Sequence, residues 1–257
     1  MIRVGHRLLP ELPPTSRCKL CLAPSGTVLA RLARLVGRRR GRAAAPLCRR
    51  CLLRTVAPGC EREVSILFAD VRGSTALAER LTATAFSDVM RGFYARATGI
   101  VERFDGTMDK FIGDGVVALF LGDDAVDHAR RAIDAAHALV ASLDGEREAR
   151  PWPPVAVGVH TGTAWLGLIP GPHGTDDLTA LGDSVNVAAH LCAAAGAGEV
   201  AISSETWNAA GVPQTIASRS LRLKRRRRPI AARFSGALAQ SCLAVGDGES
   251  KSLRYLP

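Results

Sequence analysis

Two carboxylates in this 257-residue chain sit where chemistry is plausible. Asp70 stops the run Val64 to Ala69, which is apolar and rich in β-branched and aromatic residues, as a buried strand should be. Asp114 lies between Gly113 and Gly115, which separate Phe111-Ile112 from Val116 to Phe120 in the manner of a tight hairpin tip. Ser74 and Thr75 are expected to cap one amphipathic helix carrying Leu77, Leu81 and Phe86, with the free N–H groups around Gly73 and Ser74 facing Asp70 and able to hold phosphate oxygens. Hard divalent cations take a few carboxylates plus substrate phosphates, so this cradle suits two Mg²⁺ or Mn²⁺ ions and a triphosphate. Either half alone is weak, since a Gly-Asp-Gly turn is more often only a turn.

Four blocks in order strengthen the reading: 68–75 (FADVRGST), 109–115 (DKFIGDG), 157–162 (VGVHTG) and 178–189 (LTALGDSVNVAA). Together they resemble the catalytic domain of class III nucleotidyl cyclases over about residues 61–234. The resemblance implies an α+β fold, a ferredoxin-like βαββαβ sandwich, and cyclisation of a nucleoside triphosphate. By the same resemblance Asp70 and Asp114 hold two Mg²⁺ or Mn²⁺ ions with the Val71 carbonyl as a further ligand. Lys110 reads the purine with Thr179, in the manner of a Thr subgroup expected to use ATP. Asn186 orients the ribose and the transition state. Arg226, on a final hairpin, falls nearest the family's triphosphate-binding basic residue, although Arg225 stands where a glycine is usual. The metal aspartates of one chain face the lysine, purine reader and asparagine of another, so a homodimer with two shared sites is implied.

A second departure falls on the helix that carries Asn186. His190 stands where an arginine is usual, one helical turn beyond Asn186 in a helix expected over 183–195, so the two share a face. A guanidinium is a permanently charged fork, whereas an imidazole is shorter and charged only when protonated. His190 is therefore either a weakened transition-state residue or an interface histidine without a catalytic part, and low turnover is expected.

Charge is partitioned along the chain. Residues 1–60 carry 13 basic and 1 acidic side chains, residues 61–214 carry 11 and 21, and residues 215–257 carry 10 and 2. The acidic centre suits a substrate arriving as a metal complex and argues against a nucleic-acid surface there. Cys18-x-x-Cys21 and Cys48-x-x-Cys51 form two knuckles separated by 26 residues, the pattern of a structural Cys₄ zinc site holding one Zn²⁺ in a segment too small to fold on a core. A redox dithiol or a disulfide pair are the rival readings. Cys60, Cys192 and Cys242 read as ordinary cysteines, and His6, His128, His137, His160 and His173 show no shared metal spacing. Between the knuckles, Leu29, Leu32, Leu35 and Val36 form an apolar stripe beside Arg31 and Arg34, expected to pack on the zinc segment, with nucleic-acid binding a minor alternative.

Further along, the patterning predicts a helix over 125–143, strands over 154–160, 199–203, 221–224 and 230–234, a turn over 205–209, and a sheet covered on one face. The expected organisation is an extension at 1–14, the zinc-knuckle segment at 15–56, a catalytic domain at 61–234 and a disordered tail at 235–257. No run reaches the roughly 20 apolar residues of a membrane span, and no leader peptide is evident, so a cytoplasmic chain is expected. Two functions remain in view: an adenylate cyclase, or a catalytically weak cyclase-fold module that binds nucleotide or dimerises while its basic zinc segment contacts a partner.

Overall fold

The structure, a computed structural model, describes residues 59–122, 125–144, 152–170, 176–213, 217–222 and 229–236. The four knuckle cysteines, Arg225, Arg226 and residues 237–257 of the expected tail lie outside these residues, as do Cys242, His6 and His173, whereas Ser235 and Gly236, expected to open that tail, close the strand that begins at Ile230.

Strand β1 (Cys60–Val71) is the spine of one mixed sheet. It pairs antiparallel with β3 (Gly115–Phe120) on one side and with β4 (Val155–Pro170) on the other, and β2 (Thr107–Ile112) forms a hairpin with β3. The order β2-β3-β1-β4 with its two helical crossovers is the expected ferredoxin-like βαββαβ core. The sheet continues through β6 (Glu199–Ser203), parallel to β4, then β8 (Ile230–Gly236) and β7 (Ser218–Leu221), while β5 (Asp176–Leu181) folds back on β4.

Alternation along β1 distributes its side chains between two cores. Leu67, Ala69 and Val71 pack beneath α2 (Ala83–Arg103) and α3 (Ala125–Asp144) with Phe93, Ile133, Leu139 and Trp207. Val64 and Ile66 face the other way, towards Leu119, Leu166 and Ala188 of α4 (Asp183–Ala194). The expectation of a sheet covered on one face is therefore corrected: α4 lies on the second face. It lies close because β4 offers Gly158 beneath it. A Cβ at Gly158 would collide with the Cys192 backbone nitrogen and the Ala188 carbonyl oxygen of α4.

Other boundaries also differ. The single helix expected after Ser74 is two: α1 (Ser74–Arg80) ends at Leu81, which is extended, and the Thr82 hydroxyl accepts from the Ala85 N–H at 3.2 Å to start α2. A side-chain cap inside a continuing apolar period redirected the chain. Neither Ser74 nor Thr75 caps α1, whose N-cap is Gly73 at φ +75°. The expected turn at 205–209 belongs to a helix, α5 (Ser204–Ala209), capped by Ser203. Strand β4 runs ten residues past His160, and β7 ends at Leu221 rather than beginning there.

Candidate active site

The end of β1 and the tip of the β2–β3 hairpin meet at one end of the sheet. Asp70 is paired with Gly115 across the β1–β3 ladder, and the Val71 N–H donates to the Asp114 carbonyl at 3.2 Å, so backbone geometry fixes the two segments together. Gly113, at φ +57°, lets the hairpin turn. Tyr94 of α2 donates its hydroxyl to the Gly113 carbonyl and packs on Phe111 with ring centroids 4.8 Å apart, holding the tip from outside. Ser74 donates its hydroxyl to Asp114 Oδ2, which explains why it does not cap α1.

The Asp70 and Asp114 carboxylates are close enough to hydrogen-bond. Burial, and then the neighbouring Asp114 charge, hold the Asp70 carboxyl above the usual carboxylate range, with Arg72 opposing. Arg72 donates to Asp70 Oδ2 at 3.1 Å and reaches the carbonyls of Cys192 and Ala195 at the C-terminal end of α4. Two like charges compensated only in part by one guanidinium fit a divalent cation. Asp70 and Asp114 would hold it with backbone or substrate oxygens, since among the described residues no group of three or more His, Cys, Asp and Glu side chains converges on a metal position.

A second cluster forms four residues before Asp114. Lys110 Nζ donates to Thr179 Oγ1 of β5 at 3.0 Å, uniting the two candidate purine readers. Asp109 completes the group, with Oδ2 3.4 Å from Lys110 Nζ and a side chain only 2 % exposed. Its carboxylate is also hydrogen-bonded by the Thr179 hydroxyl and the Ala180 backbone N–H. Burial raises the Asp109 pKa, while Thr179, Lys110 and Ala180 oppose the rise. These adjacent side chains reach one place because the β2–β3 register shifts: Met108 opposes Ala118 and Lys110 opposes Val117, leaving Asp109 as the extra residue of a β-bulge.

Asn186 and His190 are both exposed on α4, one turn apart. The start of that helix is fastened to β4 by the Ser184 hydroxyl, which donates to the Thr163 carbonyl at 2.7 Å. The remaining described histidines bond to hydroxyls: His128 to Ser65 at 2.8 Å, His137 to Ser235 at 2.7 Å and His160 to Ser203 at 2.9 Å. Burial pushes the Cys192 thiol up to about 12, which makes it an inert core group. The sequence reading missed Arg72, Tyr94 and Asp109. The first and last lie inside the quoted blocks, but only three-dimensional pairing reveals their partners.

Residues 57–225 match the family model described as adenylate and guanylate cyclase catalytic domain. The chain is 30 % identical over 142 residues to an adenylate cyclase of Anabaena cylindrica, covering 53 % of this chain and 28 % of that protein. It is 32 % identical over 132 residues to a terminal-differentiation-specific adenylate cyclase of Dictyostelium discoideum, covering 49 % of this chain and 6 % of that protein. It thus spans less than a third of either relative. The crystal structure of the adenylyl cyclase CyaB from P. aeruginosa superposes with a TM-score of 0.62 at 28 % identity, covering 68 % of this chain and 95 % of that one. That of the guanylyl cyclase Cya2 gives 0.62 at 25 %, covering 68 % and 92 %. With paired carboxylates at the sheet end, a Lys–Thr pair beside them and a family match over most of its length, the chain belongs to the adenylate and guanylate cyclase catalytic domain family.

Proposed function

We propose that this chain converts ATP to 3′,5′-cyclic AMP and pyrophosphate at sites shared between two copies, in the cytoplasm. The observation that carries the proposal is the convergence of Asp70 and Asp114 at the sheet end, where their mutual repulsion calls for a cation. The ribose 3′-oxygen forms a bond to the α-phosphorus, the bond from that phosphorus to the bridging oxygen of the β-phosphate breaks, and the 3′-hydroxyl proton passes to solvent. When bound, two Mg²⁺ or Mn²⁺ ions supply acidification of the 3′-hydroxyl and charge stabilisation on the triphosphate.

The protein's part is placement. Asp70, Asp114 and the Val71 carbonyl hold the metal side, with Ser74 fixing one carboxylate. The backbone at Gly73 and Ser74 receives phosphate oxygens. Lys110 and Thr179 hold the purine edge, and Asn186 orients the ribose. Arg226 is assigned to the triphosphate from sequence alone. Adenylate cyclases among the relatives support ATP as the substrate. Exposure of Phe111, Ile112, Ile169 and Leu181 on the hairpin and on β4 and β5 supports a covering second copy, as these are the large apolar side chains left in solvent among the described residues. The cysteine knuckles are assigned one structural Zn²⁺ per chain, in a segment serving dimerisation or regulation.

Purified protein incubated with Mn²⁺ and either ATP or GTP should yield cyclic AMP in excess of cyclic GMP. Absence of cyclic product over a range of protein concentrations that includes the dimer would sink the enzymatic reading. His190, in place of the fixed charge of an arginine, favours the second reading, a weak or inactive nucleotide-binding module. Nucleotide binding without turnover would establish that reading instead.

A further inference from the structure

We propose that Asp109 sets the hydrogen-bonding polarity of the purine reader: it commits the Thr179 hydroxyl proton to itself, so that Thr179 meets position 6 of the base as an acceptor and selects a 6-amino over a 6-oxo group. The inference rests on the reading of Lys110 and Thr179 as the purine-binding pair.

A threonine hydroxyl has one proton to donate and two lone pairs to accept with. Left to itself it rotates, and presents either character to a base. Here two of its three capacities are occupied. Lys110 Nζ donates to Oγ1 at 3.0 Å, which uses one lone pair. Its proton is engaged by the Asp109 carboxylate, which in ionised form can only accept. The single remaining lone pair serves the N–H of a 6-amino group. Against the 6-oxo group of guanine or hypoxanthine it would set lone pair against lone pair.

The surroundings act on that role from both sides. Burial disfavours the charged form of Asp109, whose side chain is 2 % exposed, whereas Thr179, Lys110 and the Ala180 N–H favour it, with the lysine ammonium 3.4 Å from Oδ2. As a carboxylate Asp109 has no proton of its own to give, so the shared proton is the hydroxyl's. The bulge that turns Asp109 towards Thr179 also delivers Lys110. Asp109 is thus a positioning residue that acts through Thr179.

The test compares ATP with ITP, which carries a 6-oxo group and no 2-amino group, so the comparison is confined to this edge of the base. The ratio of kcat/KM values, ATP over ITP, is measured for wild type, Asp109→Val and Asp109→Asn in the full chain with Mn²⁺. If turnover is absent, the same ratio is taken from dissociation constants. Wild type should favour ATP. Asp109→Val, which frees the hydroxyl to donate, should reduce the ratio about tenfold, the scale of one mispaired hydrogen bond. Asp109→Asn keeps an oxygen to accept the proton and should hold the ratio within about threefold of wild type. A purely structural role would lower both substrates together and leave the ratio unmoved. An unchanged ratio in Asp109→Val, or in Asp109→Ala should the valine variant fail to fold, overturns the proposal while leaving the ATP reading intact. A wild-type preference for ITP overturns the ATP reading itself.

Discussion

Asp109 and Asp114 are five residues apart on one hairpin, yet they keep opposite company. Asp114 is held beside another carboxylate, Asp70, at a partly exposed strand end, with Arg72 as the nearby counter-charge. Asp109 is enclosed with a lysine and a hydroxyl, so its charge is answered within the chain. One cluster is electrostatically incomplete and the other is already satisfied. On the proposed function the difference separates two tasks: a site that must acquire a cation is left in deficit, whereas one that must discriminate between bases is rigid before the base arrives.

The widest gap between the clusters should appear on deleting charge from the incomplete one. Asp70→Ala or Asp114→Ala should lower cyclase activity by about three orders of magnitude or more, because the remaining carboxylate cannot hold the metal side alone. Circular dichroism should show the fold retained. Cyclisation at wild-type rates in both variants would erase the distinction drawn above.

If the two clusters of one chain serve different sites, they should complement in trans. Asp70→Ala and Lys110→Ala chains, each inactive, should recover about a quarter of wild-type activity when mixed equally, since half the dimers form with one intact site of two. Mixed dimers that assemble in a pull-down yet stay inactive would place both clusters in the same site.

A finer separation comes from Tyr94, whose hydroxyl bonds the hairpin tip beside Asp114. Tyr94→Phe removes the hydroxyl that holds the Gly113 carbonyl and should weaken Mn²⁺ activation several-fold, about threefold to tenfold, with the maximal rate restored by more metal. The ATP over ITP ratio should not change. A loss of base selectivity in this variant would mean that the clusters are coupled through the hairpin.

The smallest expected effect is on stability. Asp70 has its pKa raised on folding, so its charged form costs stability that is regained as pH falls and lost as pH rises through its folded-state pKa. Asp70→Asn should therefore raise the Tm of metal-free protein at pH 8, by only about 1–2 °C because the carboxylate is partly solvated. Wild type should gain Tm on adding Mn²⁺ and the variant should gain less. A lower Tm in the metal-free variant would show that Arg72 already outweighs the repulsion.

The convergence of Asp70 and Asp114 was legible in the sequence because its parts depend on local signals: an acid ending an apolar strand, and an acid between two turn glycines. The pairing of Lys110 with Thr179 was legible only through the family resemblance, which named both residues. Asp109 escaped notice because simple alternation along β2 would turn it away from Lys110, and nothing in the residue types announces a bulge. The division of the first helix was hidden for a related reason. Leu77, Leu81 and Phe86 continue a plausible helical stripe, and the break depends on whether Thr82 turns its hydroxyl to the Ala85 N–H. Coverage of the second sheet face depended on α4 approaching Gly158, a contact visible only once strand and helix are set together.

At Gly158 the helix carrying Asn186 and His190 rests on the strand backbone to backbone, with no side chain between them. Side chains are the compliant part of a helix–sheet junction, as they yield by changing rotamer, and here that cushion is missing. The seat is stiff, and Arg72 ties the C-terminal end of the same helix to the strand bearing Asp70. Helix and sheet must therefore travel as one solid piece. If two copies share the sites as proposed, an input that adjusts their output has little slack to exploit inside a chain and must tilt or slide one whole copy against the other.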